Sequence, residues 1–235
     1  MADILALAAH PDDVEQTCGG TLIRMAQKGY RTAVVDLTAG EMGTRGSPEQ
    51  RLEEAQAAAR EMLVAERHNL LLPDARLENT FDAKCVIAAK IRELRPRVVI
   101  LPYWEARHPD HARASELGAD ACFLAGLRKL DVAGEPHRPS KILYASAYAA
   151  VRPSFVADIS EQLERRLRAL FCYQSQYGPQ AEGNELFPEQ EEAAERLRAA
   201  ARASGLLIHV RYGEPYVVKE MLRVDDICRM GVPSM

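Results

Sequence analysis

The chain lacks any run of about 20 apolar residues, the length a bilayer span requires, so no membrane segment is predicted. It also lacks a marked excess of either charge. Its 30 basic and 34 acidic residues give a formal net charge of -4, which offers nucleic acid or an anionic membrane no basic face. There is no Cys-x-x-Cys pair. Cys18, Cys85, Cys122, Cys172 and Cys228 are scattered and odd in number, which argues against a disulfide framework and against a thiolate zinc site. Reduced thiols in a cytoplasmic protein are the expectation. No basic leader precedes the first apolar run, which follows Asp3 directly and reads as a buried strand. There is no G-x-G-x-x-G, internal repeat or low-complexity tract.

What is present suits one soluble domain. In 235 residues, 47% hydrophobic and 27% charged is an ordinary globular balance. Short apolar runs alternate with longer amphipathic ones, the pattern of an α/β protein with a mostly parallel, Rossmann-like sheet flanked by helices. Strands are predicted over Ile4–Ala9, Thr32–Leu37, His68–Leu72, Val98–Leu101 and Ile142–Ser146. Helices are predicted over Gly20–Lys28, Pro48–Met62, Asp82–Leu94 and Asp110–Leu127. The last third is less regular. Ser160 is placed to cap a helix bearing Leu163, Leu167 and Leu170; Gln176–Pro188 reads as a mobile loop; Glu189–Ala203 reads as a helix, and Ile208–Tyr212 as an edge strand.

Two clusters carry the chemistry. The first strand runs into His10-Pro11-Asp12-Asp13, and the loop after the fourth into His108-Pro109-Asp110-His111. First and fourth strands are commonly neighbours in a doubly wound sheet, at the switch point where ligands bind. Two imidazoles and a carboxylate, with one open position, make a catalytic zinc site from His10, Asp13 and His111. Fe2+ or another divalent ion answers the same donor set. Side chains of adjacent residues diverge, so Asp12 stays beside the metal water as base. His108, three residues before His111, faces the site as an imidazolium that steadies an oxyanion and protonates the leaving amine. Non-haem Fe(II) oxygenases use a similar triad, but the extra aspartate favours hydrolysis. A nucleotide-binding module without catalysis is the remaining alternative, and the missing glycine fingerprint counts against it.

These motifs, with Asp36–Gly46, Leu72–Asn79, Glu105–His108 and Arg211–Pro215, resemble the PIG-L/LmbE family of zinc-dependent N-acetylglucosamine deacetylases, in particular its bacillithiol-biosynthesis branch. The resemblance implies the roles just given. It also implies a small N-acetyl amino-sugar substrate, N-acetyl-glucosaminyl malate, cleaved to glucosaminyl malate and acetate. Another N-acetylglucosaminyl conjugate or a chitooligosaccharide is the alternative. A homo-oligomer is implied, hexamers being frequent in the family. The two malate carboxylates call for guanidinium groups; Arg51 matches the family's arginine, and Arg45 and Arg107 flank the site. Glycine is usual in the family where this chain has Leu63, Leu71 and His209. Glu15 reads as a helix-start or supporting charge, Tyr103 and Trp104 as packing or sugar-lining aromatics, and His68 and His137 as structural.

Overall fold

The computed structural model describes residues 1–146, 149–178, 189–226 and 231–232. In chain order the elements are β1 (Ile4–Ala8), α1 (Asp13–Thr17), α2 (Gly19–Gln27), β2 (Thr32–Asp36), α3 (Pro48–Glu61), β3 (Glu66–Asn69), α4 (Phe81–Leu94), β4 (Val98–Pro102), α5 (Pro109–Ala125), β5 (Lys141–Ala145), β6 (Phe155–Asp158), α6 (Leu163–Leu170), α7 (Gln174–Tyr177), α8 (Gln190–Leu206) and β7 (Gly213–Val217). The strands form one sheet of order β3-β2-β1-β4-β5-β7-β6. Five are parallel, and β7 joins antiparallel to both β5 and β6.

Alternation along the buried strands divides the core between two faces. Leu5, Leu7, Val35, Val99 and Leu101 point to α4 and α5, against Ile87, Ile91, Leu94 and Leu117. Ile4, Ala6, Val34 and Ile100 point the other way, toward Val14, Leu22, Ile23, Ala55 and Ala58 of α1–α3. Local signals start the main helices where expected. Ser47 Oγ accepts from Gln50 N ahead of α3, and Thr80 Oγ1 accepts from Ala83 N ahead of α4.

Several expectations shift. The expected Gly20–Lys28 helix stands as α2, and a separate short helix, α1, precedes it unpredicted. The third strand starts earlier, at Glu66, and its buried Arg67 is a charged residue that apolar periodicity cannot find. Ser160 does not cap α6. Its hydroxyl donates to Asp158 Oδ1 at 2.7 Å, and the helix begins at Leu163 after Gln162. Ile208–Tyr212 is not a strand: Ile208 N and Val210 N both return to Gly205 O, wrapping the end of α8. The strand lies after it, at Gly213–Val217, and pairs with β6, which the half-buried Phe155–Asp158 did not advertise. Within the expected Gln176–Pro188 loop, Gln176 and Tyr177 are helical; residues 179–188, and Cys228, lie outside the described residues.

The three unusual substitutions share one backbone property. Leu63, Leu71 and His209 have φ of 61°, 53° and 59°, in the left-handed region that favours glycine. That conformation costs an L-residue about 1–2 kcal/mol, partly offset because glycine loses more freedom on folding. Leu63→Gly, Leu71→Gly and His209→Gly should therefore each stabilise the protein by roughly 0.5–1 kcal/mol. Thermal denaturation should show each midpoint raised by about 1–4 °C; unchanged or lowered midpoints would contradict the strain.

Candidate active site

His10 leaves the end of β1, and His108 and His111 sit at the start of α5, which follows the neighbouring β4. The two sequence clusters therefore meet beyond the strand C-termini. The ring centroids of His10, His108 and His111 lie 4.8–5.3 Å apart. They open on a cavity of about 1010 Å³ that Asp12, Asp13, Arg51 and Arg107 also line.

Asp13 ties the two clusters together. Its Oδ1 is 3.1 Å from His111 Nε2, and its Oδ2 is 3.5 Å from His10 Nδ1 and accepts from His10 N at 3.0 Å. The opposite nitrogen of His10, Nε2, faces Asp74 Oδ1 at 3.0 Å and Asp110 Oδ2 at 3.4 Å. A proton held there leaves Nδ1 as the donor atom on the Asp13 side. The two carboxylates are fixed by backbone: Asp74 Oδ2 accepts from Met42 N, and Ala75 N donates to both Asp74 Oδ1 and Asp110 Oδ2. Among the described residues, His10, His108 and His111, or His10, Asp74 and Asp110, are close enough to share an ion. Asp74 and Asp110 are site residues to which the sequence assigned no role. The Leu72–Asn79 stretch holds the first and the second His/Asp cluster the other, but only proximity to His10 reveals what they do.

Electrostatics follow from burial. Burial works against a charged His10, yet hydrogen bonds and charge from Asp13 and Asp74 push it up to about 10. Asp13 is buried too, but His111 and His10 hold its carboxyl well below the usual range. Burial dominates at Asp12 and pushes it up to about 7 against the charge of Arg51, in the range suited to a base near neutral pH. Asp12 occupies the left-handed region at φ 96°, a conformation aspartate tolerates better than most residues. His108 differs from expectation. Its Nδ1 accepts from Asp110 N at 3.2 Å, and burial together with the charges of His10 and His111 lowers its pKa. An Nδ1 that accepts this bond carries no proton, so a ring in this arrangement carries its proton on Nε2.

The arginines separate. Arg107 is exposed and lines the cavity. Arg51 is buried, donates to Gly40 O and Pro11 O at 3.2 and 2.7 Å, and lies 3.6 Å from Asp12 Oδ1. Gly40 makes room for it, since a Cβ there would stand 1.8 Å from the guanidinium. Arg45 is not among the cavity-lining residues and donates to Gln176 O at 2.6 Å. Tyr103 and Trp104 pack on the core, with Trp104 edge-on to Tyr144. His137 Nε2 is bonded to Pro96 O at 2.7 Å, a structural role as expected.

Beneath the site lies a buried ionic frame. Arg67 of β3 meets Asp36 of β2 through two hydrogen bonds, at 2.7 and 2.9 Å, and reaches Glu15 of α1 at 2.5 Å. Arg166 of α6 donates to Glu15 O and Gln16 O and pairs with Glu214 of β7 at 3.1 Å. Glu214 accepts from Gly20 N and Thr21 N, capping α2. A Cβ on Gly20 would come 2.8 Å from that carboxylate, so this glycine serves the close approach.

Residues 5–122 match the family model PIG-L, described as GlcNAc-PI de-N-acetylase. The chain belongs to the PIG-L family. It is thus an N-deacetylase, a hydrolase. The diacetylchitobiose deacetylase of Thermococcus kodakarensis is 32% identical over 189 residues, 74% of this chain and 70% of that protein. A probable N-acetyl-alpha-D-glucosaminyl L-malate deacetylase 2 of Bacillus anthracis is 30% identical over 193 residues, 74% of this chain and 81% of that one. The crystal structure of a conserved protein from Thermus thermophilus superposes with a TM-score of 0.86 and 38% identity, covering 96% of this chain and 98% of the other.

Replacing Arg67 by methionine would leave Asp36 and Glu15 buried and unpaired. The loss expected for removing one partner of such a network is about 3–5 kcal/mol. Urea unfolding of Arg67→Met should show it as a lowered midpoint, and an unfolding free energy within roughly 1 kcal/mol of the parent would mean that removing Arg67 costs little stability.

Proposed function

We propose that this PIG-L deacetylase removes the N-acetyl group of an N-acetylglucosaminyl conjugate, with N-acetyl-glucosaminyl malate as substrate and glucosaminyl malate and acetate as products. The observation that carries the reading is that Asp13, next to Asp12, reaches both His10 Nδ1, at 3.5 Å, and His111 Nε2, at 3.1 Å. Two neutral imidazole nitrogens and a carboxylate suit Zn2+, or Fe2+ in its place. When bound there, the ion supplies Lewis-acid polarisation of the amide carbonyl and brings the pKa of water toward about 7.

The chain's own residues do the rest. Asp12 takes the proton of the attacking water, and the proton it holds is then available to the departing amine. His108 presents its Nε2–H to the oxygen on which charge develops. Asp74 and Asp110 keep the His10 ring from turning. Arg107, on the cavity wall, is the guanidinium that meets a carboxylate of the aglycone. Arg51 supports Asp12 and the Pro11 and Gly40 carbonyls, and contributes to substrate binding from that position.

The similarity to a malate-conjugate deacetylase supports the acidic aglycone. A second reading, diacetylchitobiose as substrate, is favoured by the comparable identity to the Thermococcus enzyme and by the engagement of Arg45 and Arg51 with protein carbonyls.

Asp12→Asn should retain bound metal and lose roughly 10²- to 10⁴-fold in kcat, whereas His111→Ala should lose the ion as well. Metal analysis of both purified variants beside acetate release distinguishes the two roles; a fully active Asp12→Asn would remove the base. The substrate is tested by parallel turnover of N-acetyl-glucosaminyl malate and N,N'-diacetylchitobiose. A clear preference for the malate conjugate is expected, with Arg107→Ala hurting that substrate selectively. Equal turnover would withdraw the malate assignment.

A further inference from the structure

We infer that Tyr177 is a positioning residue for Asp12, and that the short helix α7 exists to deliver it. The inference rests on the reading of Asp12 as the base.

Asp12 is gripped from both sides. Arg51 lies 3.6 Å from Oδ1, and the Tyr177 hydroxyl donates to Oδ2 at 3.3 Å. A carboxylate with a hydrogen bond at one oxygen and a guanidinium beside the other is restrained from turning, so its remaining lone pairs keep their aim into the cavity. The aim matters more here because Asp12 hangs from a left-handed backbone position at the lip of α1.

Tyr177 sits on a helix of four residues, too short to persist by itself. Its neighbours are clamped to the rest of the fold. Ser175 donates from N and Oγ to the two oxygens of Glu54 on α3, at 2.7 and 2.6 Å. Gln176 and Arg45 exchange side-chain-to-carbonyl bonds at 2.6 and 2.8 Å. Glu54, Ser175 and Gln176 are all buried. Burying this many polar groups is costly unless their geometry is wanted. What the clamp sets is the reach of Tyr177, whose ring also packs edge-on against Phe171. Arg45 thus serves the site by holding α7.

The test uses the metal-loaded full chain and four proteins: parent, Tyr177→Phe, Asp12→Asn and the double variant. Phenylalanine keeps the ring and removes only the hydroxyl. Tyr177→Phe should lower kcat roughly 10- to 100-fold, the worth of a hydrogen bond to a charged group. KM should stay within about two-fold and metal content should be unchanged. In the Asp12→Asn background the same change should cost less than about two-fold, because its effect runs through the carboxylate. Glu54→Gln, which loosens the clamp without touching Asp12, should lower kcat in the parent and add nothing in Tyr177→Phe. A Tyr177→Phe enzyme with parental kcat overturns the inference, as does an equal fractional loss with and without Asp12. Parental kcat in Asp12→Asn overturns the base reading itself, and this inference with it.

Discussion

The active site depends on a five-residue helix that has no stability of its own. One turn of helix fixes more backbone than its hydrogen bonds repay, so α1 persists only because other elements hold it. Arg67 fastens Glu15 to the edge strand β3, and Arg166 takes the carbonyls of Glu15 and Gln16 at the other end. Burial pushes the Glu15 carboxyl up, against the Arg67 charge, so the pairing resists a real desolvation cost. Such a frame adds little net stability over an apolar core. What it provides is direction: Asp12 and Asp13 are adjacent in sequence yet face different partners, and that divergence needs α1 to stand still.

The same economy appears around His10. Its Nδ1 side meets Asp13, and its Nε2 side meets two carboxylates that are themselves tied to backbone amides. Every acid near the centre has a different environment. Asp13 lies low because imidazoles surround it, Asp74 because His10 and amide donors offset its burial, and Asp12 high because burial outweighs the charges of Arg51 and His10. Three aspartates of one chemical type are thereby separated into a ligand candidate, a support and a base candidate.

Much of the fold was legible because parallel strands buried on both faces read as unbroken apolar runs. Ile4–Ala8, Thr32–Asp36 and Val98–Pro102 all stand within a residue of expectation, and the adjacency of β1 and β4 brings the His/Asp clusters together. What escaped was polar and distant. Arg67 hides in a strand because its partners lie 31 and 52 positions away. The Gln174–Tyr177 helix looks like loop because tertiary hydrogen bonds, not propensity, fold it. Arg45 and Arg51 could be placed near the site from sequence, but nothing in their spacing told that carbonyls of this chain would occupy them. The apolar Ile208–Val210 segment misled because it closes a helix end, with His209 left-handed, where alternation suggested a strand.

The span of the Glu214 cap has a temporal meaning. Gly20 and Thr21 meet that carboxylate across 194 and 193 positions, so a ribosome must complete nearly the whole chain before α2 gains its cap and Arg166 its counter-ion. The residues matched by the family model, 5–122, contain every histidine of the cluster but neither Arg166 nor Glu214. A nascent chain can therefore lay down the parallel sheet early while the helix under its two aspartates is still unlatched. Closing that long loop carries a higher entropic cost than the shorter-range contacts of the site, and the cap on α2 depends on β7.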